Sequence, residues 1–155
     1  MYILEVANGA QHPAQVSPVL PADFRNITVK RYVFRWRPLV ADCELYKLTI
    51  TGSDDILGLV ALIEHPAEQR IEIKLLTASS ENIGQGKQFD RVAGCLIAFA
   101  AQEAMDRFED FPAISLLPKT NLKQHYMNHY GMEDSGRQLY LEDIGLFNVI
   151  NEYLA

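Results

Sequence analysis

Hydrophobic and polar positions alternate most clearly between residues 70 and 77, just before a polar loop and a long apolar segment. This alternation predicts a strand. One face holds Ile71, Ile73 and Leu75, and the other holds Glu72, Lys74 and Leu76. Small and apolar residues then recur at helical spacing from Asp90, the predicted N-cap, to Phe108. A helix that begins just after a strand directs free N–H groups and the positive end of its dipole into the turn, which favours a phosphate or pyrophosphate site.

The remaining segments predict an α+β architecture. Strands are expected over residues 2–6, 28–36, 44–51, 56–64, 113–117 and 138–141, whereas the prolines of residues 11–22 indicate an irregular connection. Helices are expected over residues 119–130, before Gly131, and from Asp143 onward, where Phe147, Ile150 and Leu154 share one face. Strands first, followed by alternating helices and strands, favour an α+β or α/β domain on a mostly antiparallel sheet.

Composition and charge limit the function classes. The chain has 155 residues, of which 48% are hydrophobic and 22% charged, as expected for one globular domain over residues 1–155. A net charge of −6 argues against nucleic acid, because neutralising phosphates needs a basic face. No apolar run approaches the ~20 residues that span a bilayer, and no secretion signal is recognisable, so a cytoplasmic location without membrane contact is expected. Cys43 and Cys95 are then expected to be buried thiols, with a single disulfide as the alternative.

The glycine-bearing loop does not match the common phosphate-binding motifs. The segment GQGK at residues 84–87 lacks P-loop spacing, and a dinucleotide fingerprint would need a glycine at Phe89. The turn over residues 88–94 does keep small residues at Ala93 and Gly94. They either let a ligand approach the backbone or allow tight packing of the helix on the sheet.

Around this turn the sequence resembles the GNAT superfamily of acyl-CoA N-acyltransferases, and within it a small bacterial subgroup. The family signature is a strand, then Gln/Arg-x-x-Gly-x-Gly/Ala, then a helix. Here Gln88, Arg91 and Ala93 occupy that place, with Arg91 replacing the first glycine. The similarity continues in residues 58–63, residues 114–117, Asn121, Tyr126 and the pair Gly131-Met132.

The resemblance implies a mixed sheet with helices on both faces and two parallel strands that splay apart around acetyl-CoA, the cosubstrate. The pantetheine arm would pair with the splayed strand edge, and the diphosphate would bind backbone amides of residues 88–94. The residues implied to bind the cosubstrate are Leu75, Leu76, Thr77, Gln88, Phe89, Asp90, Arg91, Val92, Ala93, Gly94 and Asn121.

Glu72 and Tyr126 are the expected catalytic residues. In one branch of the family a strand glutamate in a similar setting deprotonates the acceptor amine, which implies that role for Glu72. The alternative is a solvent-facing carboxylate paired with Lys74 or with a cation on a neighbouring strand. The resemblance implies that Tyr126 protonates the leaving thiolate, although it lies five residues before Gly131, where common members have four. Tyr130 is the second candidate, and both tyrosines share an apolar stripe that also suits buried phenols.

Two polar features of the following helix stay open. His125 and His129 stand four residues apart, as two metal ligands would, but no acid follows in the zinc-protease arrangement. We therefore expect no metal, and His125 could instead border the acceptor pocket. Asn121 either caps its helix or contacts CoA.

The expected function is transfer of an acetyl group from acetyl-CoA to a primary amine by direct attack in a ternary complex. The alternative is a catalytically inactive GNAT-like module for CoA binding or protein assembly, favoured by Arg91 and by the shifted Tyr126. Residues 22–40 and 133–138 would form the acceptor pocket. The acidic net charge mildly favours a cationic amine as acceptor, and a homodimer is left open.

Overall fold

A mixed β-sheet with helices packed on its two faces organises the computed structural model, which describes residues 1–155 apart from the side chain of Thr120. The strands are β1 (Tyr2–Glu5), β2 (Gln11–Pro18), β3 (Glu44–Ile50), β4 (Ile56–His65), β5 (Arg70–Ala78), β6 (Phe89–Asp90), β7 (Ala113–Leu116), β8 (Glu133–Asp134) and β9 (Leu139–Glu142). The helices are α1 (Val29–Tyr32), α2 (Val92–Arg107), α3 (Lys123–Tyr130) and α4 (Ile144–Leu154). Over the described residues the strand order is β6-β1-β2-β3-β4-β5-β7-β9-β8.

Buried side chains on both faces of β4 explain why its sequence is a continuous apolar run. Val60 and Leu62 lie in the larger core, under α2 and α4, whereas Leu59 and Ala61 lie in a smaller core with Tyr32 of α1. A strand covered on both faces buries consecutive residues rather than every second one. Within the described part of the chain, β5 and β7 are the parallel pair and the other neighbours are antiparallel, which confirms the mostly antiparallel sheet.

The parallel strands β5 and β7 form a fork. They pair over residues 70–73 and 113–116, but β5 continues to Ala78 whereas β7 ends there. Pro118 follows two residues after β7, and a proline offers no N–H group to extend the ladder. The splayed pair implied by the family resemblance is therefore confirmed.

A β-bulge at Lys74 changes the faces of β5. Neighbouring residues of β4 pair with Ile73 and with Leu75, so Lys74 is an extra residue on its strand. An extra residue shifts the alternation of side chains by one position. Leu76 therefore packs against the larger core and Leu75 against the smaller one. The predicted grouping of Leu76 with Glu72 is wrong because the alternation does not run through the bulge.

A glycine in β4 brings the first turn of α2 close to the sheet. A Cβ atom on Gly58 would lie 2.6 Å from Val92 Cγ1 and 3.0 Å from Leu96 Cδ1. Carbon atoms in normal contact are about 3.5–4.0 Å apart. The absence of a side chain at Gly58 therefore allows the first turn of α2 to pack closely on β4, next to the fork.

The predicted strand over residues 28–36 is wrong. Thr28 Oγ1 accepts a hydrogen bond from Arg31 N at 3.3 Å and caps the short helix α1. Arg31 does not line a sheet face, because its guanidinium binds the carboxylates of Asp55 and Glu81. The side chain of Tyr32 is buried in the smaller core, so α1 covers this face of the sheet instead of joining it.

Residues 11–18 form strand β2 rather than the predicted irregular connection. Residues 11–13 pair with β1, and residues 14–18 pair with β3. Pro13 lies where one partner strand replaces the other, and Pro18 is the last residue of the strand. Prolines at such positions interrupt few ladder hydrogen bonds.

Helix α4 packs through a different face from the one predicted. Leu146, Val149 and Tyr153 are buried, whereas Phe147 is 51% exposed. The other two predicted positions are partly buried against the larger core. Neither α4 nor any other described helix has the length and apolar character needed to cross a bilayer.

Candidate functional site

The fork opens onto a cavity of about 900 Å³. Its wall comprises the β5 segment 73–78, the chain segment 116–119 after β7, the first turn of α2 and one face of α3. The β5 edge that faces β7 has no strand partner beyond residue 73. Its backbone N–H and C=O groups can therefore pair with an extended ligand.

Most of the predicted cosubstrate-binding residues lie in the wall of this cavity. They are Leu75, Leu76, Thr77, Phe89, Asp90, Arg91, Val92 and Ala93, and the predicted catalytic Tyr126 lines it as well. On β5 the wall begins at Ile73, one residue after Glu72. Asn121 is exposed and lies between the wall residues Lys119 and Leu122. It does not cap α3, whose N-cap is Leu122.

The first turn of α2 presents unused N–H groups to the cavity. Cys95 N donates to Arg91 O at 2.9 Å, which is the first bond of the helical ladder. The N–H groups of Val92, Ala93 and Gly94 precede that bond and have no i−4 carbonyl within the helix. Together with the positive end of the helix dipole, they form a place for an anion.

The set of free amides is smaller than the family resemblance implies. Gln88 N donates to Glu81 O at 3.0 Å, and Phe89 N donates to Asn82 Oδ1 at 2.8 Å. These hydrogen bonds close the loop after β5 on itself. The amides free to bind a diphosphate therefore lie in residues 92–94, not along the whole turn.

Arg91, rather than the predicted Asp90, is the N-cap of α2. Its φ of 80° and ψ of 1° lie in the left-handed region that favours glycine, at the position where the family motif has one. Asp90 Oδ1 accepts from Arg91 N at 2.8 Å. The guanidinium donates to Tyr2 O at 3.2 Å and to Glu152 O at 2.8 Å, and lies 4.7 Å from the ring centre of Tyr153. The arginine thus retains the glycine-like turn while fastening β1 and α4 to the start of α2.

The space beside Gly94 is filled by an aromatic ring. A Cβ atom on Gly94 would overlap the ring of Tyr153 from α4 and lie 2.8 Å from its Cδ1. Gly94 therefore permits close packing of two helices. The interpretation of this glycine as a site of close packing between α2 and the sheet is corrected by that contact, because the packing partner is α4. Ala93, by contrast, faces the cavity.

Glu72 lies next to the base of the fork and is paired with a histidine and an arginine. Its Oε1 is 2.8 Å from His65 Nε2 and 3.9 Å from the guanidinium of Arg70. The alternative of a paired carboxylate is thus present, with His65 of the neighbouring strand β4 and with Arg70 of the same strand, not with Lys74. The Glu72 side chain remains 16% exposed, so a water molecule can reach the carboxylate.

Tyr126 and Tyr130 both reach the cavity from α3, with ring centres 6.0 Å apart. Burial raises the pKa of Tyr126 and of Tyr130 above the ordinary value for a phenol. Each phenol is therefore protonated near neutral pH and can donate a proton. Tyr130 also packs on Tyr153, with ring centres 6.1 Å apart. Tyr126 lies about one helical turn before Tyr130 in α3.

The two histidines of α3 stack on each other within the cavity wall. The ring centres of His125 and His129 are 5.3 Å apart with an interplanar angle of 14°. Among the described residues, no group of three or more His, Cys, Asp or Glu side chains is arranged to hold a metal ion.

The cysteines are free thiols, so the disulfide alternative is wrong. Cys95 is buried as expected, and burial raises its pKa to about 11. Cys43 is only half-buried, and burial raises its pKa as well. Neither thiol has the lowered pKa that makes a cysteine a good nucleophile.

Two parts of the cavity wall were missed by sequence reasoning. The first is the glycine loop, which contributes Gly84, Gln85 and Lys87. The loop lacks P-loop spacing, but its length and position after β5 place it beside the start of α2. The second is Val33 and Phe34, which lie within residues 22–40, the segment predicted to form the acceptor pocket.

No protein-family model and no curated protein matches the chain. Solved structures do match its shape. A GNAT family acetyltransferase from Elizabethkingia anophelis, with acetyl-CoA bound, is 14% identical, with a TM-score of 0.56 over 84% of this chain and 98% of its own. The ribosomal-protein-S18-alanine N-acetyltransferase from Escherichia coli is 10% identical, with a TM-score of 0.58 over 83% and 93%. Nourseothricin acetyltransferase is 13% identical, with a TM-score of 0.53 over 83% and 96%.

The chain has the GNAT fold. The likeness covers more than nine-tenths of each of these three structures, so it is one of the whole fold rather than of a local motif. At 10–14% identity the likeness is one of fold. This chain has Arg91 where the signature motif has a glycine, and the Arg91 backbone lies in the left-handed region that favours glycine.

Proposed function

We propose that this chain is an acetyl-CoA-dependent N-acetyltransferase that acts on a primary amine by direct transfer in a ternary complex. The observation that carries the proposal is the cavity in which an open strand edge and the free amides of a helix start meet. The acetyltransferase from Elizabethkingia anophelis, which has a similar fold, has acetyl-CoA bound in its structure. The 900 Å³ cavity is within the usual range of small-molecule sites.

Acetyl-CoA would occupy the cavity along its length. The amide groups of the pantetheine arm would pair with the unpartnered edge of β5 at Leu75, Leu76 and Thr77. The diphosphate would accept hydrogen bonds from the N–H groups of residues 92–94. Lys87 lies in the wall beside this turn and would add a positive charge.

The proposed reaction uses one base and one acid. The amine nitrogen attacks the thioester carbonyl carbon, a C–N bond forms, and the C–S bond breaks. Glu72 accepts the amine proton through a water molecule, and Tyr126 donates a proton to the departing thiolate sulfur. No acyl-cysteine is required, because the Cys95 thiol is buried and its pKa is raised to about 11.

A substitution of Ala93 can test the diphosphate position without damaging the helix. An aspartate in the first turn of a helix is stabilising, because it meets the positive end of the dipole. The same carboxylate would repel a diphosphate. We expect the Ala93→Asp variant to be folded but to lose most CoA affinity, whereas the isosteric Ala93→Asn variant retains more of it. Equal CoA affinity of the two variants, measured by calorimetry, would place the diphosphate elsewhere.

Turnover separates the enzyme from an inactive module. Release of free CoA thiol from acetyl-CoA should depend on an added primary amine. CoA at about 100 times its dissociation constant should raise the free energy of unfolding by roughly 2.7 kcal/mol. Stabilisation by CoA without amine-dependent thiol release from a wide amine panel would favour the binding module over the transferase.

A further inference from the structure

The charges in the cavity wall indicate what kind of amine the site accepts, if the proposed function holds. The wall contains four cationic side chains and one carboxylate among the described residues, although the chain as a whole has a net charge of −6. The cations are Lys74, Lys87, Arg91 and Lys119, and the carboxylate is Asp90.

Two of these cations already have partners at the start of α2. Lys87 Nζ lies 2.9 Å from Asp90 Oδ1. The guanidinium of Arg91 donates to the carbonyl oxygens of Tyr2 and Glu152. Their position beside the free amides associates both with the diphosphate end of the cavity.

The other two cations flank the fork. Lys74 is the bulge residue, directly after the last position of β5 that pairs with β7, and Lys119 follows β7 by three residues. Among the described side chains, the lysines within 4.0 Å of a carboxylate are Lys47, Lys87 and Lys123. Lys74 and Lys119 are therefore free to bind an anion. Lys119 Nζ lies 5.0 Å from the ring centre of Phe34, which brings it to the side of the cavity formed by the predicted acceptor segment.

We propose that the acceptor is a small primary amine that carries an anionic group, a carboxylate or a phosphate, bound by Lys74 and Lys119. A charged hydrogen bond to each lysine would hold the amine beside the thioester at the fork. The positive field of the lysines also opposes the protonated form of the amine, so the neutral nucleophile is favoured.

A polyamine or another polycation does not suit this wall. Its ammonium groups would need free carboxylates, and Asp90 is engaged with Lys87. Glu72, at the edge of the cavity, is engaged with His65 and Arg70. The cationic acceptor favoured by the net charge of the whole chain is thus replaced by an anionic one.

Matched pairs of amines test the proposal. Alanine is compared with alaninamide, and phosphoethanolamine with ethanolamine, each with acetyl-CoA, with spermidine as the polycation. We expect kcat/KM for the preferred anionic amine to exceed that of its neutral partner by about tenfold or more. The pair with the larger ratio distinguishes a carboxylate from a phosphate. A neutral amine or spermidine as the best acceptor would overturn the proposal.

Lysine variants show whether these two side chains cause the preference. The double variant Lys74→Gln and Lys119→Gln should bring the ratio close to one while leaving the dissociation constant of CoA within about twofold. Lys30→Gln, at an exposed position of α1 outside the cavity wall, is the matched control and should leave the ratio unchanged. If the double variant binds CoA more weakly but keeps the kcat/KM ratio between the paired amines, the two lysines bind CoA and not the acceptor.

A binding measurement separates this proposal from the proposed function. Thermal unfolding in the presence of CoA can report acceptor binding even if no acetyl group is transferred. Stabilisation by the anionic amines, lost in the double variant, would support the anionic site although the transferase had failed. Stabilisation by none of the amines would overturn the proposal, whether or not CoA binds.

Discussion

Replacing Gly94 with alanine should destabilise this protein, although alanine is the better helix former. The Cβ atom would overlap the ring of Tyr153 and lie 2.8 Å from its Cδ1, where about 3.5–4.0 Å is needed. The ring cannot move freely, because Tyr153 is only 6% exposed and lies between Tyr130 and the guanidinium of Arg91. The overlap must therefore be relieved by moving α4 away from α2.

The magnitude follows from two opposing effects. Overpacking of a core typically costs about 1–3 kcal/mol, and the severe overlap with a buried ring places this substitution at about 3 kcal/mol. The change from glycine to alanine in a helix returns roughly 1 kcal/mol. We expect Gly94→Ala to lower the free energy of unfolding by about 2 kcal/mol, which is a fall in Tm of about 4–8 °C for a chain of this size.

A double-mutant cycle with Tyr153→Ala isolates the contact. Without the ring, Gly94→Ala meets open space and keeps only its helix propensity, so it should raise the free energy of unfolding by roughly 1 kcal/mol. Urea unfolding of the four proteins measures both effects. If Gly94→Ala leaves the free energy of unfolding unchanged or raises it while Tyr153 is present, the close packing of α2 and α4 is refuted.

Three further predictions concern the site and its surroundings. Glu72→Gln should lower kcat by about 10²–10⁴-fold in an amine-dependent thiol-release assay while leaving CoA affinity unchanged, and an undiminished rate near neutral pH would rule out Glu72 as the base. Tyr126→Phe should lower kcat at least about tenfold with little change in stability; if only Tyr130→Phe does so, the acid is Tyr130. Hydrogen bonds from Arg31 hold the pKa of Glu81 at about 2 instead of the ordinary 4.5, so this pair stabilises the fold above pH 4.5 and its contribution is lost as the pH falls towards 2. Glu81→Gln should therefore be less stable at pH 7 by about 1 kcal/mol and lose less stability between pH 4.5 and 2, as measured by urea unfolding; parallel pH profiles would contradict this.

Elements specified by local patterns could be predicted from the sequence. The hairpin of β3 and β4, strand β5 and helix α2 all appear within a few residues of their predicted bounds, because alternation and helical spacing persist over seven or more residues. Gly131 ends α3 with a left-handed φ of 73°, as predicted for a C-terminal cap. The fork itself was implied by the family resemblance and not by periodicity.

Elements that depend on distant partners could not be predicted in this way. The alternation in residues 28–36 is as long as that of the true strands, but the chain there is held by Arg31, whose carboxylate partners lie 24 and 50 residues away. The bulge at Lys74 depends on the register with β4, which is not written in β5 alone. The packing of Gly94 depends on Tyr153, from the last helix of the chain. In each case a tertiary contact overrode or completed a local signal.

The electrostatics of the candidate site show the same limit most clearly. The net charge counts every ionisable side chain, whereas only a few of these side chains line the cavity. Most acidic side chains lie outside the wall. Asp90, which lines it, is engaged by Lys87, and Glu72, one residue before the wall begins on β5, is engaged by His65 and Arg70. Folding brings Lys74 to the fork through a bulge, and Lys119 through the chain that leaves β7. At the ~8–10 Å screening length of physiological salt, an acceptor at the fork responds mainly to these two lysines and little to the distant acidic surface. The local field therefore favours an anionic acceptor, against the preference suggested by a net charge of −6.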